Sequence, residues 1–138
     1  MKTNWVFLIV LVGIAASNIL AFDKTYELTK TEFDDLTVLA NGITLNNFSI
    51  AEESAFLAQG THKVSISFSV RNKTTDSKAF TTMIVGMSNS TIIWALDASP
   101  MMYMVSGNTT EECTGSAYVT QGTVAKTTKI WIRIVGDF

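Results

Sequence analysis

The chain has 138 residues, a formal net charge of −2 and 47% hydrophobic residues, with one Pro, one Cys and one His. This composition excludes a disordered chain, because disorder requires few apolar and many charged residues. The acidic balance and the lack of a basic cluster argue against a nucleic-acid partner, since phosphates require a positively charged face. A single His excludes a histidine-based metal site. Without a phosphate-binding Gly-rich loop or metal-ligand cluster, we expect no cofactor and no metal.

The first stretch of the chain has the layout of a secretory signal peptide. Lys2 supplies the positive start, Val6–Ile14 supplies a short apolar core, and small or polar residues follow as far as Ala21. Such a segment is cleaved after a small residue, here Ala21 or Ser17. A membrane span needs about 20 consecutive apolar residues, and Ser17 and Asn18 cut this run short.

We therefore predict a signal peptide over 1–21 and a single domain over 22–138, which is long enough for one hydrophobic core. The predicted location is secreted and extracellular. The alternative is a protein of the cell surface that keeps the N-terminal hydrophobic helix as an anchor or assembly element.

Secretion gives meaning to the N-x-[ST] sequons, which are acceptors for N-linked glycans. Four of the six Asn after residue 21 open one, more than chance supplies: Asn47, Asn72, Asn89 and Asn108. A glycan projects into solvent, so these positions should lie in loops or at strand edges. We expect higher occupancy at Asn72 and Asn108, in long polar segments, than at Asn47, which precedes apolar sequence.

Cys113 is the one Cys, so the domain has no internal disulfide. A buried, inert thiol is the default interpretation, and a disulfide between chains is the alternative that its polar neighbours make plausible. His62 and Cys113 are the one available pairing of a nucleophile with a base. Such a pair needs a third, orienting group, and none is near in sequence. We predict no catalytic residues and no enzyme activity.

The first third of the chain contains a hairpin signal and an ambiguous segment. Phe22–Asp35 predicts an irregular lead-in with some strand. In Leu36–Ile50 the alternating apolar residues are interrupted by Asn41-Gly42, the strongest short signal for a hairpin turn. Ser49–Gly60 carries a capping-box pattern, Ser49 to Glu52, which predicts one or two helical turns; a strand around Ala55–Leu57 is the rival.

Gly60–Arg71 is the clearest strand, because apolar and polar residues alternate along it. Its apolar positions are Val64, Ile66, Phe68 and Val70. A strand with one apolar and one polar face belongs to an antiparallel sheet with one face in solvent.

Further short strands separated by polar turns are predicted towards the C-terminus. They are Ala79–Met87, Thr91–Leu96, Met101–Val105, Tyr118–Thr120, Thr123–Ala125 and Lys129–Val135, with Ser106–Gly115 predicted as a polar loop. Seven or eight short strands predict an all-β, antiparallel β-sandwich of jelly-roll-like type.

The last strand offers apolar side chains on both of its faces. Ile130, Ile132 and Ile134 alternate with Trp131, and Val135 lies on the Trp131 side. A sheet with one wet face needs only one apolar face, so the second must be covered. The segment Met101–Met104 is apolar in both phases. We predict a homo-oligomer with an interface formed by Met101, Met102, Tyr103, Met104, Trp131 and Val135.

Three segments resemble the jelly-roll heads of the complement-subcomponent and tumour-necrosis-factor superfamily. Phe56–Phe68 is similar to the Phe, Gly-x-Tyr and alternating strand of that family, with His62 at the Tyr position. Gly115–Val119 and Lys129–Arg133 resemble its Gly-Ser strand and its strand of the V-W-L-R type. The resemblance implies a secreted trimer that binds ligand with its outer loops and rims.

The sequence thus favours a secreted, N-glycosylated, non-catalytic binding or structural module that is oligomeric. Its partners would be copies of itself and an extracellular protein or carbohydrate ligand, with no nucleic acid. The alternative is a surface-filament or coat subunit, and only that alternative includes a membrane, through the retained N-terminal helix.

Overall fold

A computed structural model describes residues 22–96 and 102–138, and these form two antiparallel sheets packed face to face. Sheet A has the order β1 (Phe22–Leu28), β9 (Lys129–Gly136), β5 (Lys78–Ser88), β6 (Thr91–Ala95), and β7 (Met102–Val105) also pairs with β5. Sheet B has the order β2 (Val38–Ala40), β3 (Ile43–Ser54), β4 (Thr61–Asn72), β8 (Thr110–Thr120). The short helices are α1 (Lys30–Asp34) and α2 (Thr123–Lys126). The predicted all-β antiparallel sandwich is confirmed. The predicted signal peptide and Met101 lie outside the described residues.

The strand β4 forms the centre of sheet B, as its alternation predicts. Val64, Ile66, Phe68 and Val70 are buried between the sheets. β4 pairs with β3 on one side and with β8 on the other along nearly all of its length. Burial of four large side chains in a row fixes the register, because a shift of one residue would expose all of them.

The predicted hairpin turn at Asn41-Gly42 is confirmed. Ala40 pairs with Ile43 across a two-residue loop that joins β2 to β3. Asn41 and Gly42 have φ values of 45° and 88°, which identify a type I′ turn. Asn and Gly adopt these left-handed conformations with little strain.

The helix predicted from Ser49 and Glu52 is wrong. β3 continues to Ser54, and a tight turn over 55–60 leads into β4. The Oγ atoms of Ser49 and Ser67 are hydrogen-bonded across the strands at 2.7 Å. Cross-strand pairing with β4 therefore outweighs the local capping pattern.

A true capping box lies earlier, in the segment predicted as irregular. The N–H of Glu32 donates to the Thr29 Oγ1 at 3.2 Å, and the N–H of Thr29 donates to a Glu32 carboxylate oxygen at 2.7 Å. The box starts α1, which buries Phe33 completely. Here the capping pattern has no competing strand partner.

Two other predicted elements differ from the structure. The polar segment Ser106–Gly115 is not a loop throughout, because β8 begins at Thr110. Thr123–Ala125 is not a strand but lies in α2, where the Thr127 side chain donates to the Thr123 carbonyl at 3.0 Å.

The strand β6 has a bulge in its register with β5. Because of this bulge, Ile92 faces outward while Trp94 is buried.

Aromatic rings form a continuous chain through the core. Each ring lies 5.0 to 6.3 Å from the next, in the order Phe33, Phe48, Phe68, Tyr103, Phe80, Phe138, Phe22. The chain joins α1 to both sheets and joins the first strand to the last residue. Such contacts add to the burial energy that holds the sheets together without a disulfide.

Candidate functional site

The outer face of sheet B presents its side chains in cross-strand rows on β3, β4 and β8. Successive rows are two residues apart along each strand, or about 7 Å. From one end they are Glu53–Lys63–Tyr118, then Ala51–Ser65–Ser116, then Ser49–Ser67–Thr114, and finally Ser69–Glu112 with Asn47 beside them. Five hydroxyls occupy the two middle rows. We call this surface the hydroxyl face.

A shallow groove follows the middle rows of the hydroxyl face. It has a volume of about 580 Å³, and its lining includes Lys63 and the hydroxyl residues of the middle rows. The Glu112 carboxylate at the far end accepts a short hydrogen bond from Ser69. The groove is therefore polar but carries few charges along its length.

A second cavity, which we call the notch, lies where the β3–β4 turn meets the first row. Its volume is about 360 Å³, and it is lined by Glu53, Lys63 and Tyr118 together with the turn residues. Phe56 is fully exposed on that turn, and Tyr118 is 65% exposed. Lys63 lines both cavities, so the notch and the groove adjoin at this residue.

Glu53 and Lys63 form an ion pair at the base of the notch. The Lys63 Nζ lies 2.9 Å from a Glu53 carboxylate oxygen. A hydrogen bond to Glu53 and its negative charge raise the pKa of Lys63, so the ammonium stays charged at neutral pH. The notch thus combines one balanced charge pair with an exposed aromatic ring.

The sequence analysis did not identify the residues of the notch as a site. Phe56 was considered as part of a rival strand and of the family resemblance, and Tyr118 as part of that resemblance and as the start of a short strand. The signal that was available is the uncharged turn Ala55–Gly60, which places Phe56 and Leu57 in solvent. The cross-strand pairing of Lys63 with both Glu53 and Tyr118 depends on register, which the sequence did not predict.

The outer face of sheet A is apolar, and it contains part of the predicted interface. Trp131 pairs with Val85 on β5, and Val135 pairs with Thr81. Met83 and Met104 lie on the same side, 56% and 66% exposed. Two ion pairs on the same side of the sheet join β9 to β1, Arg133 with Asp23 and Lys129 with Glu27. The surface is therefore apolar over β5, β7 and the Trp131 and Val135 positions of β9. We call this surface the apolar face.

Tyr103 does not belong to the predicted interface. Its ring stacks on Phe80 at 5.2 Å and meets Phe68 edge-on at 5.8 Å. Its hydroxyl donates to the Thr114 carbonyl at 3.0 Å. Tyr103 is therefore part of the interior, because strand alternation turns it away from the side that carries Met104. The position of Met102 in β7 is described, but not its side chain.

Cys113 is not placed for a disulfide between chains. It lies opposite Phe68 on the inner side of β8 and is only 4% exposed. Burial, together with the negative charges of Glu111 and Glu112, raises the pKa of the thiol to about 11. His62 pairs with Val119, six residues further along β8 and therefore about 20 Å away. The two residues do not form a dyad.

Glu52 and His62 lie on the inner side of sheet B, where α2 covers the end of the sandwich. The Glu52 carboxylate accepts hydrogen bonds from the N–H groups of Gly122 and Val124 at 2.7 and 2.8 Å. The His62 Nδ1 lies 2.8 Å from Glu52 Oε1, outside hydrogen-bonding geometry. Burial opposes ionisation of Glu52, but Val124, Gly122 and His62 together lower its pKa. The ionised carboxylate holds α2 in place.

The structure separates the four sequons by exposure. Asn47, Asn89 and Asn108 are exposed, and all three have positive φ, between 53° and 58°. Asn is among the few side chains that tolerate this conformation. The backbone alone therefore gives a reason for Asn at these positions, independent of any glycan.

The expectation that Asn72 lies in an exposed loop is wrong. Its side chain is 1% exposed, and its Nδ2 donates to the carbonyls of Asp76 and Val105 at 2.8 and 3.1 Å. Its Oδ1 accepts from the N–H and the hydroxyl of Thr74. A glycan on Nδ2 would replace one of the two hydrogens that make these bonds and would require space that the interior lacks. Glycosylation at Asn72 is incompatible with this fold.

Within 22–96 and 102–138 there is no group of three or more His, Cys, Asp or Glu side chains that could hold a metal ion. In the same described ranges no helix is long and apolar enough to cross a membrane.

Comparison with known proteins gives no family for this chain. No protein-family model matches it, and no curated protein matches it. Among solved structures, the chain has a likeness to the Avr2 effector protein from the fungal plant pathogen Fusarium oxysporum. That likeness has 8% sequence identity and a TM-score of 0.26, over 83% of this chain and 87% of the other.

Proposed function

We propose that the protein is a secreted, non-catalytic binding module that uses its two outer faces for different partners. The apolar face packs against further copies of the chain, and the hydroxyl face with the notch binds an extracellular ligand. The observation that carries this proposal is the chemical contrast between the two faces. Each outer face exposes side chains that do not pack in the core between the two sheets.

The apolar face lies at the lower end of interface sizes. Sheet A has strands of eleven, eight, seven, five and four residues, so its outer side spans about 570 Å² in projection. Specific complexes bury about 600–1,000 Å² on each partner. Monomeric proteins rarely leave large apolar patches in solvent, and Met83, Met104 and Trp131 are all exposed here. A second copy presents the same apolar chemistry and would cover them.

Glycans fit this arrangement at three of the four sequons. Asn89 lies in the turn between β5 and β6, and Asn108 lies between β7 and β8. Asn47 lies beside the last row of the hydroxyl face, and its Nδ2 is 3.4 Å from Ser69 Oγ. We propose glycosylation at Asn89 and Asn108, with Asn47 less occupied because its amide contacts the sheet.

Expression in a eukaryotic secretory host tests the location. We expect a mature protein that starts at Phe22 or Asn18, because Phe22 opens β1 and its ring packs against Phe138 at 5.4 Å. A protein that starts at Met1 and stays with the membrane fraction would contradict secretion. It would support the alternative of an anchored filament or coat subunit.

Sedimentation equilibrium tests the apolar face. We expect the secreted protein to self-associate at tens of micromolar, and we expect Met83→Ser combined with Met104→Ser to weaken association at least tenfold. Leu39→Ser is the matched control, because Leu39 is equally exposed but lies on β2 of the other sheet. A wild-type protein that remains monomeric would overturn the oligomer proposal.

A further inference from the structure

The chemistry of the hydroxyl face and the notch narrows the ligand to one class. We infer that they bind a neutral, linear oligosaccharide, with Tyr118 as the surface on which a sugar ring packs. This inference rests on the proposed role of the hydroxyl face as the ligand site. The inference is supported by the hydroxyl groups that line the groove, by the charges of the hydroxyl face and by the exposed ring of Tyr118.

The groove offers hydroxyl groups at a regular spacing. Ser65, Ser67, Thr114 and Ser116 line it on two adjacent strands, and Ser49 lines it on a third. Each hydroxyl both donates and accepts hydrogen bonds. A sugar carries the same dual groups along its length, so it can pair with this lining in either direction. A hot spot for a protein partner would instead require a buried aromatic or Arg anchor, which the middle rows lack.

The charges along the hydroxyl face favour a neutral ligand. Glu53 and Lys63 neutralise each other at 2.9 Å. At the far end Glu112 adds a negative charge, and the exposed Arg71 in the next row beyond it adds a positive one. No basic cluster is present among the lining residues of the groove and the notch. An anionic polysaccharide or a nucleic acid would find no net attraction here. The paired carboxylate and ammonium can still share hydrogen bonds with neighbouring sugar hydroxyls.

The notch supplies the aromatic surface that sugar recognition requires. The C–H groups on one side of a sugar ring are apolar and pack against aromatic rings, while the hydroxyls at its edge remain free for hydrogen bonds. Tyr118 is 65% exposed beside Lys63, and Phe56 and Leu57 line the other side of the notch. Since Lys63 lines both cavities, one chain of sugars can occupy the notch and the groove together.

The test is isothermal titration calorimetry with the full secreted protein after enzymatic removal of its own N-glycans, which could otherwise occupy the site. The probes are neutral hexasaccharides, namely the cello-, chito-, manno-, xylo- and laminari-series. We expect at least one to bind with a dissociation constant between about 10 µM and 1 mM, the range of modest contact areas. Absence of binding by all of them would overturn the inference.

Variants locate the binding. Tyr118→Ala should weaken it at least tenfold, Tyr118→Phe should retain it within about threefold, and Glu53→Gln should weaken it several-fold. Ile92→Ala is the matched control, because Ile92 is about as exposed as Tyr118 but lies on β6 of sheet A, outside both proposed binding surfaces; it should leave affinity within twofold. Affinity that Tyr118→Ala and Glu53→Gln leave unchanged would overturn the site. Unchanged thermal unfolding of each variant excludes misfolding as the cause of a loss.

A charged probe separates failure of the ligand class from failure of the proposed function. A heparin-derived hexasaccharide that binds while the neutral probes do not, and that Tyr118→Ala weakens, would keep the hydroxyl face as the ligand site and overturn the neutral ligand. If any probe binds but only apolar-face variants weaken it, both the inference and the proposed role of the hydroxyl face are wrong.

Discussion

The hydroxyl face and the apolar face use the same alternation of side chains but expose opposite chemistry. On β4 the outward residues Ser65 and Ser67 are small and polar, whereas on β5 and β9 the outward residues include Met83 and Trp131. The strands β4 and β9 both bury large residues on their inner sides, for example Phe68 and Ile132. The inner sides are therefore set by folding, and the outer sides are free to differ. The proposed partner sites rest on this difference.

The contrast between the two faces implies that the outward residues of the hydroxyl face contribute little to folding stability. We expect Phe68→Ala to lower the free energy of unfolding by about 3–5 kcal/mol, as aromatic truncations in cores do. Ser67→Ala, one residue away, should change it by less than about 0.5 kcal/mol, because its hydroxyl bonds only Ser49 at the surface. Urea titration of both variants measures the two effects. Equal losses would show that the assigned strand phase is wrong.

The thiol below the hydroxyl face gives a pH-dependent prediction. The pKa of Cys113 is about 11 in the folded protein, above that of a free thiol. A raised acid pKa contributes stability below the unfolded pKa, and that stability is lost as pH rises through the folded value. Between about pH 9 and 11 the loss should reach about 2–3 kcal/mol. Stability measured against pH for the wild type and Cys113→Ala isolates this contribution, since the variant lacks it.

The burial of Cys113 can also be tested by the reactivity of its thiol. Ellman's reagent should modify Cys113 slowly at pH 8 in the native protein and rapidly in urea. Rapid native modification, or a dimer that reductant dissociates, would contradict the burial of the thiol.

Variants at two sequons test the buried position of Asn72 and the proposed glycan at Asn108. Asn72→Ala should lower the free energy of unfolding by about 1–3 kcal/mol, since it leaves buried carbonyls without their donors. It should not change the glycan mass. Asn108→Gly should retain stability, because Gly also tolerates a φ of 58°, and should remove one glycan. Mass spectrometry of the secreted variants before and after deglycosylation, with thermal unfolding, measures both; a glycan on Asn72 would contradict the fold.

The smallest expected effect concerns the ion pairs that border the apolar face. The Arg133 guanidinium, which donates to both Asp23 carboxylate oxygens at 3.0 and 2.7 Å, lowers the pKa of Asp23. A lowered acid pKa contributes stability above the unfolded pKa, and this is lost as pH falls below about 4. Because the pair is exposed, Asp23→Asn should cost less than about 1 kcal/mol at pH 7 and nothing near pH 2. A loss that persists at pH 2 would point to a non-electrostatic role.

Much of the fold could be predicted because inward residues alternate without interruption. Val64 to Val70 and Ile130 to Ile134 are apolar at every second position, and both strands are found as predicted. The apolar face was partly predicted for the same reason, since Trp131 and Val135 lie opposite the buried Ile residues. Tyr103 was wrongly assigned to the interface together with Met104. In a run where every residue is apolar, the sequence does not show which side chains face inward.

The hydroxyl face could not be predicted, because it depends on which strands are neighbours. The start of β8 is polar, with Thr110, Glu111 and Glu112 in sequence, and local sequence therefore indicated a loop. Pairing with β4 makes it a strand, and only that pairing brings Tyr118 beside Lys63. The capping-box error at Ser49 has the same origin, since long-range pairing outweighed a local preference.

The pairing of β1 with β9 has a consequence for how the protein is made. Phe22 lies opposite Gly136, and Asp23 bonds a residue 110 positions away in the chain. Sheet A therefore cannot form until the last strand has been synthesised. Proteins dominated by such distant contacts fold slowly, over milliseconds to seconds. During that interval the strand edges of sheet A are unpaired and can pair wrongly with another chain.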